Sequence, residues 1–149
     1  MTKPHRGRRA EYRVFHAITT RWKDNDIYGH VNNVEYTSYF DTAANHFLIT
    51  NGVLDIVHSA VIGIVVETGC RYHESVAFPD RLEVGLRVAK IGRSSVRYEL
   101  AVFRESAELA AAEGHFVHVY VDRASMRPVP IPDAVRQLLA TVEVGAEKI

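Results

Sequence analysis

The residues best suited to chemistry lie close together in one short polar stretch. Within ten consecutive positions, the candidates are two carboxylates, an imidazole and two of the three amides: Asp24, Asp26, His30, Asn32 and Asn33. A carboxylate can serve as a general base toward water or as a nucleophile. A long apolar helix is predicted to start at the end of this stretch, and its free backbone N–H groups would suit an oxyanion. The stretch therefore contains the parts that acyl hydrolysis needs.

The same residue types also form turns and helix caps, and composition alone favours that simpler interpretation. Three features favour chemistry. The carboxylates come directly before the most apolar helix, and so lie beside the core. Gly29 permits a positive φ or a close approach by another group. The helix start supplies N–H donors and the positive end of the helix dipole.

Other kinds of site find little support in the sequence. It contains no G-x-S-x-G nucleophile motif and no glycine-rich phosphate loop before a helix. Cys70, the single cysteine, lies in an apolar predicted strand, which favours a buried and inert thiol. His115 and His118 are three positions apart on a predicted strand, so their side chains point to opposite faces. We expect no metal site and no metal or redox cofactor.

One long helix is predicted among several strands. Residues 12–22 read as a first strand, and 33–50 as a helix capped by Asn32 or Asn33 and ended by Asn51-Gly52. The apolar residues of the helix recur at helical spacing: Tyr36, Tyr39, Phe40, Ala43, Ala44, Phe47 and Leu48.

Strand patterns follow this helix. Residues 60–66 are continuously apolar, in a segment that continues to 72, and such a run suits a strand buried on both faces. Residues 82–89, 96–103 and 113–121 alternate as strands do, with a hairpin at Gly92-Arg93. Residues 133–142 form a short helix. The predicted fold class is α+β, with one long helix across a mostly antiparallel sheet of about five strands. We expect a single domain over 1–149, with a basic tail at 1–11 and a C-terminal helix and tail at 132–149.

Composition narrows the possible partners. The chain has 149 residues, 47% of them hydrophobic, with 18 basic and 18 acidic side chains. A net charge of zero argues against general binding to nucleic acid or an anionic membrane. No signal sequence or membrane-spanning run is evident, so a cytoplasmic protein is expected.

Residues 21–40 read R-W-x-D-x-D-x-x-G-H-V-N-N-x-x-Y-x-x-Y-F. This stretch closely resembles the hot-dog-fold acyl thioesterases of the 4-hydroxybenzoyl-CoA thioesterase-like group. Further matches are Arg71-Tyr72, Pro79-Asp80, the hairpin at 92–95 and the strand at 116–122. The resemblance extends over about 12–130 and implies the hot-dog fold.

The resemblance implies a role for each motif residue. Asp26 matches the catalytic carboxylate, which would act as general base or nucleophile. The oxyanion donor would be the backbone N–H near Asn33, while His30 and Asn32 would orient Asp26 or the substrate carbonyl. Asp24 matches a structural support.

It also implies contacts with the substrate. Tyr36 on the long helix would line the acyl pocket. The hairpin residues Gly92, Arg93 and Ser94 would contact the pantetheine arm or nucleotide of coenzyme A. Many relatives carry Glu where this chain has Asp41, which we expect to be structural or to face solvent or a partner chain.

The function implied is hydrolysis of an acyl-CoA or acyl-carrier-protein thioester, without a cofactor, by a homodimer or homotetramer. Two alternatives stay open. A non-catalytic module could retain the acyl-CoA or acyl-carrier protein in the same pocket, or the motif could be only a turn and cap in a scaffold protein. The fold by itself does not choose between them.

Overall fold

A computed structural model describes residues 5–144. Five antiparallel strands form one sheet in the order β1-β3-β4-β5-β2. The strands are β1 (Val14–Thr19), β2 (Val61–Tyr72), β3 (Arg81–Ile91), β4 (Ser95–Arg104) and β5 (Ala112–Asp122). The helices are α1 (Asn33–Thr50) and α2 (Asp133–Ala140), with 3₁₀ turns at Arg9–Glu11 and Trp22–Asp24. No described helix is long and apolar enough to cross a membrane.

Helix α1 lies across the sheet, as predicted for the hot-dog fold. It spans the predicted residues, and its seven buried side chains are those that the helical spacing indicated. The Phe40 ring meets Phe116 of β5 edge to face, with centroids 6.4 Å apart. Gly114 lies beneath this contact, where any side chain would strike the Phe40 ring and the Gly69 carbonyl. The absent side chain lets the helix approach the sheet closely.

Strand alternation also matches the prediction. Leu82, Val84, Leu86 and Val88 of β3 are buried against α1. On β4 and β5 the same face carries Tyr98 and Phe116, which are register partners. His118 lies on this buried face and His115 on the opposite one, where its ring bonds to Glu67 at 2.7 Å.

The first strand is shorter than predicted. Strand β1 ends at Thr19, and residues 22–24 form a 3₁₀ turn instead. The Arg21 N–H donates to the Asp24 carboxylate at 2.9 Å, which closes the turn. The buried Asp24 carboxylate therefore stabilises a turn at residues for which the sequence pattern predicted the end of a strand.

Strand β2 is not buried on both faces, contrary to the prediction. It forms an edge of the sheet, and Val65 and Val66 are 47% and 57% exposed. Val66 falls at a bulge in the pairing with β5. The apolar run therefore marks an edge without a strand neighbour within the described chain.

The basic N-terminal segment is packed rather than a solvated tail from residue 6 onward. The Gly7 N–H donates to the buried carboxylate of Glu113 at 2.8 Å, and Arg6 donates to the Ala110 carbonyl. Tyr12 adds a hydroxyl donor to Glu113. The segment supplies hydrogen bonds that a buried carboxylate requires. Residues 1–4 of the predicted tail and 145–149 at the C-terminus lie outside the described residues, and α2 ends two residues earlier than predicted.

Candidate active site

The turn that carries Asp26 is a tight loop closed by its own backbone. The Asp26 N–H donates to the His30 carbonyl at 2.8 Å, and the Gly29 N–H donates to the Asp26 carbonyl at 3.1 Å. Gly29 has φ +82°, a conformation that side-chain-bearing residues seldom adopt. The glycine therefore lets the loop return the chain to the start of α1 within a few residues.

The Asp26 carboxylate is half-buried and uses only one of its oxygens within the described structure. Oδ1 accepts the Tyr28 N–H at 2.8 Å and the His30 N–H at 3.4 Å. No described group donates to Oδ2. The backbone thus fixes the orientation of the carboxylate while one oxygen stays available to a substrate or a water.

The start of α1 leaves one N–H group available beside this carboxylate. Asn32 caps the helix: its Oδ1 accepts the Val34 N–H at 3.2 Å, and its carbonyl accepts the Glu35 N–H at 2.9 Å. The Asn32 N–H donates to the Asp24 carbonyl. The N–H of Asn33 has no acceptor among the described residues. This N–H, at the positive end of the helix dipole, can stabilise a developing oxyanion.

Asp24 anchors the loop from below and is fully buried. Its carboxylate accepts from the Arg21 Nε at 3.1 Å and from the Tyr39 hydroxyl at 2.8 Å. Burial alone would raise the pKa of this carboxyl, but the hydrogen bonds from Tyr39 and Arg21 and the Arg21 charge outweigh it and lower the pKa. Asp24 is therefore an ionised structural group without access to a substrate.

The loop is also tied to the segment that follows β2. The Asn25 side-chain oxygen accepts the Phe78 N–H at 3.0 Å, and the Val31 N–H donates to the Val76 carbonyl at 2.8 Å. These bonds join residues about 50 positions apart in the chain. They hold the motif against the wall of the cavity that it lines.

A cavity of about 370 Å³ opens beside the motif. Asp26, His30, Asn33 and Tyr36, all candidate site residues, line one side of it. The opposite wall is formed by residues 72–75, which the sequence analysis assigned no role. The volume is within the range of small-molecule sites.

Two tyrosines form the apolar part of the cavity. The Tyr36 and Tyr72 rings meet edge to face with centroids 5.1 Å apart. The Tyr72 hydroxyl donates to the Asn33 carbonyl at 3.3 Å, and burial raises the pKa of Tyr72 to about 12. Tyr72 therefore stays protonated and holds the end of β2 against the helix start. In the sequence, the only sign of this side of the cavity was the Arg71-Tyr72 pair that matched the family.

The remaining motif residues have distinct positions. The His30 ring is exposed at the cavity and forms no hydrogen bond with a described residue. The Asn32 side chain is engaged in capping rather than directed toward Asp26. Asp41 is exposed and accepts a hydrogen bond from Asn45 on the same helix.

The hairpin of Gly92, Arg93 and Ser94 does not line the cavity within one chain. The Tyr120 N–H donates to the Ser94 carbonyl, and Tyr120 pairs with Gly63 near the start of β2. The cavity lies at the other end of β2, beside Tyr72. Gly63 and Tyr72 are nine residues apart on this strand, which corresponds to about 30 Å. The Arg93 side chain is exposed and forms no ion pair with a described residue.

Cys70 is half-buried, and burial raises the pKa of its thiol. A thiol in that state is a poor nucleophile. Among residues 5–144, no group of three or more His, Cys, Asp or Glu side chains is placed to hold a metal ion. Among the groups at the cavity that lack a described hydrogen-bond partner are Oδ2 of Asp26, the N–H of Asn33 and the ring of His30.

The helix across a five-stranded sheet and the carboxylate loop at the helix start define a hot-dog protein of the thioesterase type. The profile of the Thioesterase-like superfamily matches residues 20–139. The chain belongs to that superfamily. No curated protein matches the chain.

Solved structures agree with this assignment. The PA5185 protein of Pseudomonas aeruginosa is 55% identical, with a TM-score of 0.91 over 93% of this chain and 97% of that one. PA2801 of the same organism, a proposed thioesterase, is 31% identical, with a TM-score of 0.75 over 83% and 95%. The 1,4-dihydroxy-2-naphthoyl-CoA thioesterase Slr0204 of Synechocystis shares the fold at 17% identity, with a TM-score of 0.76 over 85% and 94%.

Proposed function

We propose that this protein hydrolyses an acyl-CoA thioester with Asp26 as the catalytic carboxylate and the Asn33 N–H as the oxyanion donor. The observation that carries the proposal is the pairing of two unsatisfied groups at one cavity. Asp26 has a carboxylate oxygen without a described donor, and Asn33 has an N–H without a described acceptor. General thioester hydrolysis is the activity to which the family points.

The reaction needs no group beyond these two and water. A water attacks the thioester carbonyl carbon while Asp26 takes one of its protons. The charge that develops on the carbonyl oxygen is stabilised by the Asn33 N–H and the dipole of α1. Collapse of the intermediate breaks the C–S bond, and the leaving thiolate takes the proton from Asp26. The products are a carboxylic acid and a free thiol.

A partner subunit is part of the proposal. Within the described chain, strand β2 has no neighbour along one edge, where Val65 and Val66 are exposed. A second copy can cover this twelve-residue edge by antiparallel pairing about a two-fold axis. Antiparallel pairing places the start of one β2 beside the end of the other. The partner's hairpin, with its unpaired Arg93, would then lie at the end of the sheet that holds the Asp26 cavity. Arg93 is about 30 Å from the cavity of its own chain, and this arrangement would bring it to the CoA phosphates at the cavity of the other subunit.

Two observations favour CoA as the carrier group of the substrate: the exposed Arg93 and the substrate of a structural relative. An exposed arginine suits a phosphate group, which acyl-CoA carries in its nucleotide. Slr0204, which shares the fold, acts on a naphthoyl-CoA. An acyl-carrier protein would present the same pantetheine arm and is the competing substrate in the test below.

The test measures thiol release from a panel of aliphatic and aromatic acyl-CoAs and one acyl-carrier protein. Asp26→Asn keeps an oxygen that can accept the Tyr28 N–H but removes the base, so we expect turnover to fall by at least about 10²-fold. Asp55→Asn is the matched control, because Asp55 also accepts backbone N–H groups in a loop, at Val57 and His58. Equal activity of Asp26→Asn and wild type would overturn the assignment of Asp26.

The second candidate is a non-catalytic acyl-CoA binding module. The cavity and its tyrosines would serve binding equally well. Tight binding of an acyl-CoA, with no thiol released from any substrate of the panel, would favour the binding module over the hydrolase.

A further inference from the structure

A second cavity lies on the other flank of the long helix. It measures about 340 Å³ and is bounded by β1, β3, the C-terminal half of α1 and the end of α2. Strands β1 and β2 are opposite edges of the sheet, so this cavity and the Asp26 cavity lie at different edges. Ala43, the lining residue of α1 nearest to Asn33, is about 15 Å from it along the helix axis. The two cavities share no lining residue.

The interior of this cavity is apolar and its rim is polar. Ala43, Phe47, Val84 and Leu86 line the interior and are at least nine-tenths buried. The polar lining residues, Thr50, Asn51 and Thr141, are exposed. A small apolar pocket with polar groups at one side is the usual form of a small-molecule site.

Two histidines meet at this rim. The imidazoles of His16 on β1 and His46 on α1 have centroids 4.2 Å apart, with planes tilted by 40°. Among the described residues, neither ring forms a hydrogen bond or an ion pair. The lining residues from β1, α1, β3 and α2 include no Asp, Glu, Lys or Arg. The pair is therefore a latent cationic group without a described counter-ion.

The surroundings of His16 disfavour the charged form of its ring. Burial lowers the pKa of His16, and the adjacent His46 lowers it further. Protonating both rings at this separation would place two positive charges together without a partner. An anion bound against the edges of both rings would offset that repulsion and favour the protonated rings.

We propose that this cavity binds a small apolar carboxylate, with its hydrocarbon part among the buried side chains and its carboxylate against the edges of the His16 and His46 rings. The two imidazoles provide charge-assisted donors once protonated. The neutral polar groups at the rim, Thr50 and Thr141, do not select for charge. The volume is at the lower end of ligand sites and suits a short aliphatic chain or a single aromatic ring.

Binding of a carboxylate at the His16–His46 cavity does not require that the protein hydrolyses thioesters. A carboxylic acid is also what thioester hydrolysis releases, so the product of the proposed reaction belongs to the ligand class of this cavity. That link rests on the proposed function. The binding experiment requires no turnover and is carried out on both the wild type and Asp26→Asn, so failure of one proposal leaves the other intact.

The test compares octanoate with 1-octanol by calorimetry at about pH 5.5 and about pH 8, on either side of the ordinary histidine pKa. We expect octanoate to bind at least about tenfold more tightly at the lower pH, and the affinity for octanol not to change. Proton uptake on octanoate binding, read from buffers of different ionisation enthalpy, should accompany the tighter binding. Equal affinities of the acid and the alcohol at both pH values would overturn the proposal.

Variants locate the binding site. His16→Gln and His46→Gln should each remove the pH dependence while octanol still binds. Leu138→Trp, which fills the cavity from α2, should weaken both ligands. His58→Gln is the matched control, because this exposed histidine lines neither cavity, and it should change neither. Thermal unfolding confirms that each variant is folded, and pH-dependent octanoate binding that survives both His16→Gln and His46→Gln would also overturn the proposal.

Discussion

The Tyr39 hydroxyl donates a 2.8 Å hydrogen bond to the buried carboxylate of Asp24. This bond joins the second turn of α1 to the loop that carries Asp26. The helix start, which supplies the Asn33 N–H, and the loop, which supplies the carboxylate, are thereby held in one fixed relation. The geometry of the candidate site depends on this buried pair, although neither residue lines the cavity.

Removing the Tyr39 hydroxyl should destabilise the protein. Tyr39→Phe leaves a buried charge with one donor fewer, and we expect the free energy of unfolding in urea to fall by about 1.5–3 kcal/mol. Tyr28→Phe is the control, because the Tyr28 hydroxyl is exposed and forms no hydrogen bond with a described residue. Its loss should cost little. Equal losses in the two variants would contradict the role assigned to Tyr39.

The Asp24 carboxylate should make stability depend on pH in the acid range. Its pKa is lower in the folded protein than in the unfolded chain, so its contribution is present above the unfolded value of about 3.9. That contribution is lost as the pH falls through the folded pKa. Asp24→Asn should be less stable near neutrality and show a shallower acid-side loss than wild type, as measured by urea unfolding at several pH values.

The oxyanion donor can be tested by changing the backbone at Asn33. Asn33→Pro removes the N–H at the first helical position, which proline tolerates, and Asn32 already has the extended conformation that precedes proline (φ −62°, ψ 139°). We expect kcat to fall by about 10²–10³-fold with little loss of stability. Asn33→Ala keeps the N–H and should retain most activity. A large loss in Asn33→Ala would instead assign the role to the side chain.

The β2 edge should control the oligomeric state. Val66→Lys places a charge at the exposed bulge of this edge, which should prevent strand pairing and shift the protein to a monomer by gel filtration and light scattering. Val57→Lys is the matched control, since Val57 is exposed in the loop before β2. An unchanged mass for Val66→Lys, or a wild type that is already monomeric, would contradict the proposed pairing.

Mixed dimers can show whether Arg93 acts across the interface. Asp26→Asn and Arg93→Glu should each be impaired alone. If each site combines Asp26 of one subunit with Arg93 of the other, a mixed dimer contains one intact site. Equal mixing after unfolding and refolding should then recover about a quarter of wild-type activity. A site built within one subunit would recover no activity.

Much of the fold and part of the site could be predicted from local patterns. Helix α1 was predicted to its bounds and buried face because helical hydrogen bonds and spacing connect residues three or four positions apart. The Asp26 turn and the Asn32 cap are equally local, since the bonds that form them connect residues at most four apart. Local residue types and their spacing were therefore enough to select the Asp26 carboxylate and the Asn33 N–H, which both line the cavity.

The tertiary structure decided which distant segments meet. Residues 72–75 complete the cavity, and the segment from residue 6 packs on Glu113 at the far side of the sheet. Strand β2 lies at an edge of the sheet, and the hairpin that carries Arg93 lies near the end of β2 that is farther from Asp26. The His16–His46 pair joins β1 to α1 across 30 positions of chain. Strand order and packing set these relations through contacts between distant residues, which no local spacing in the sequence encodes.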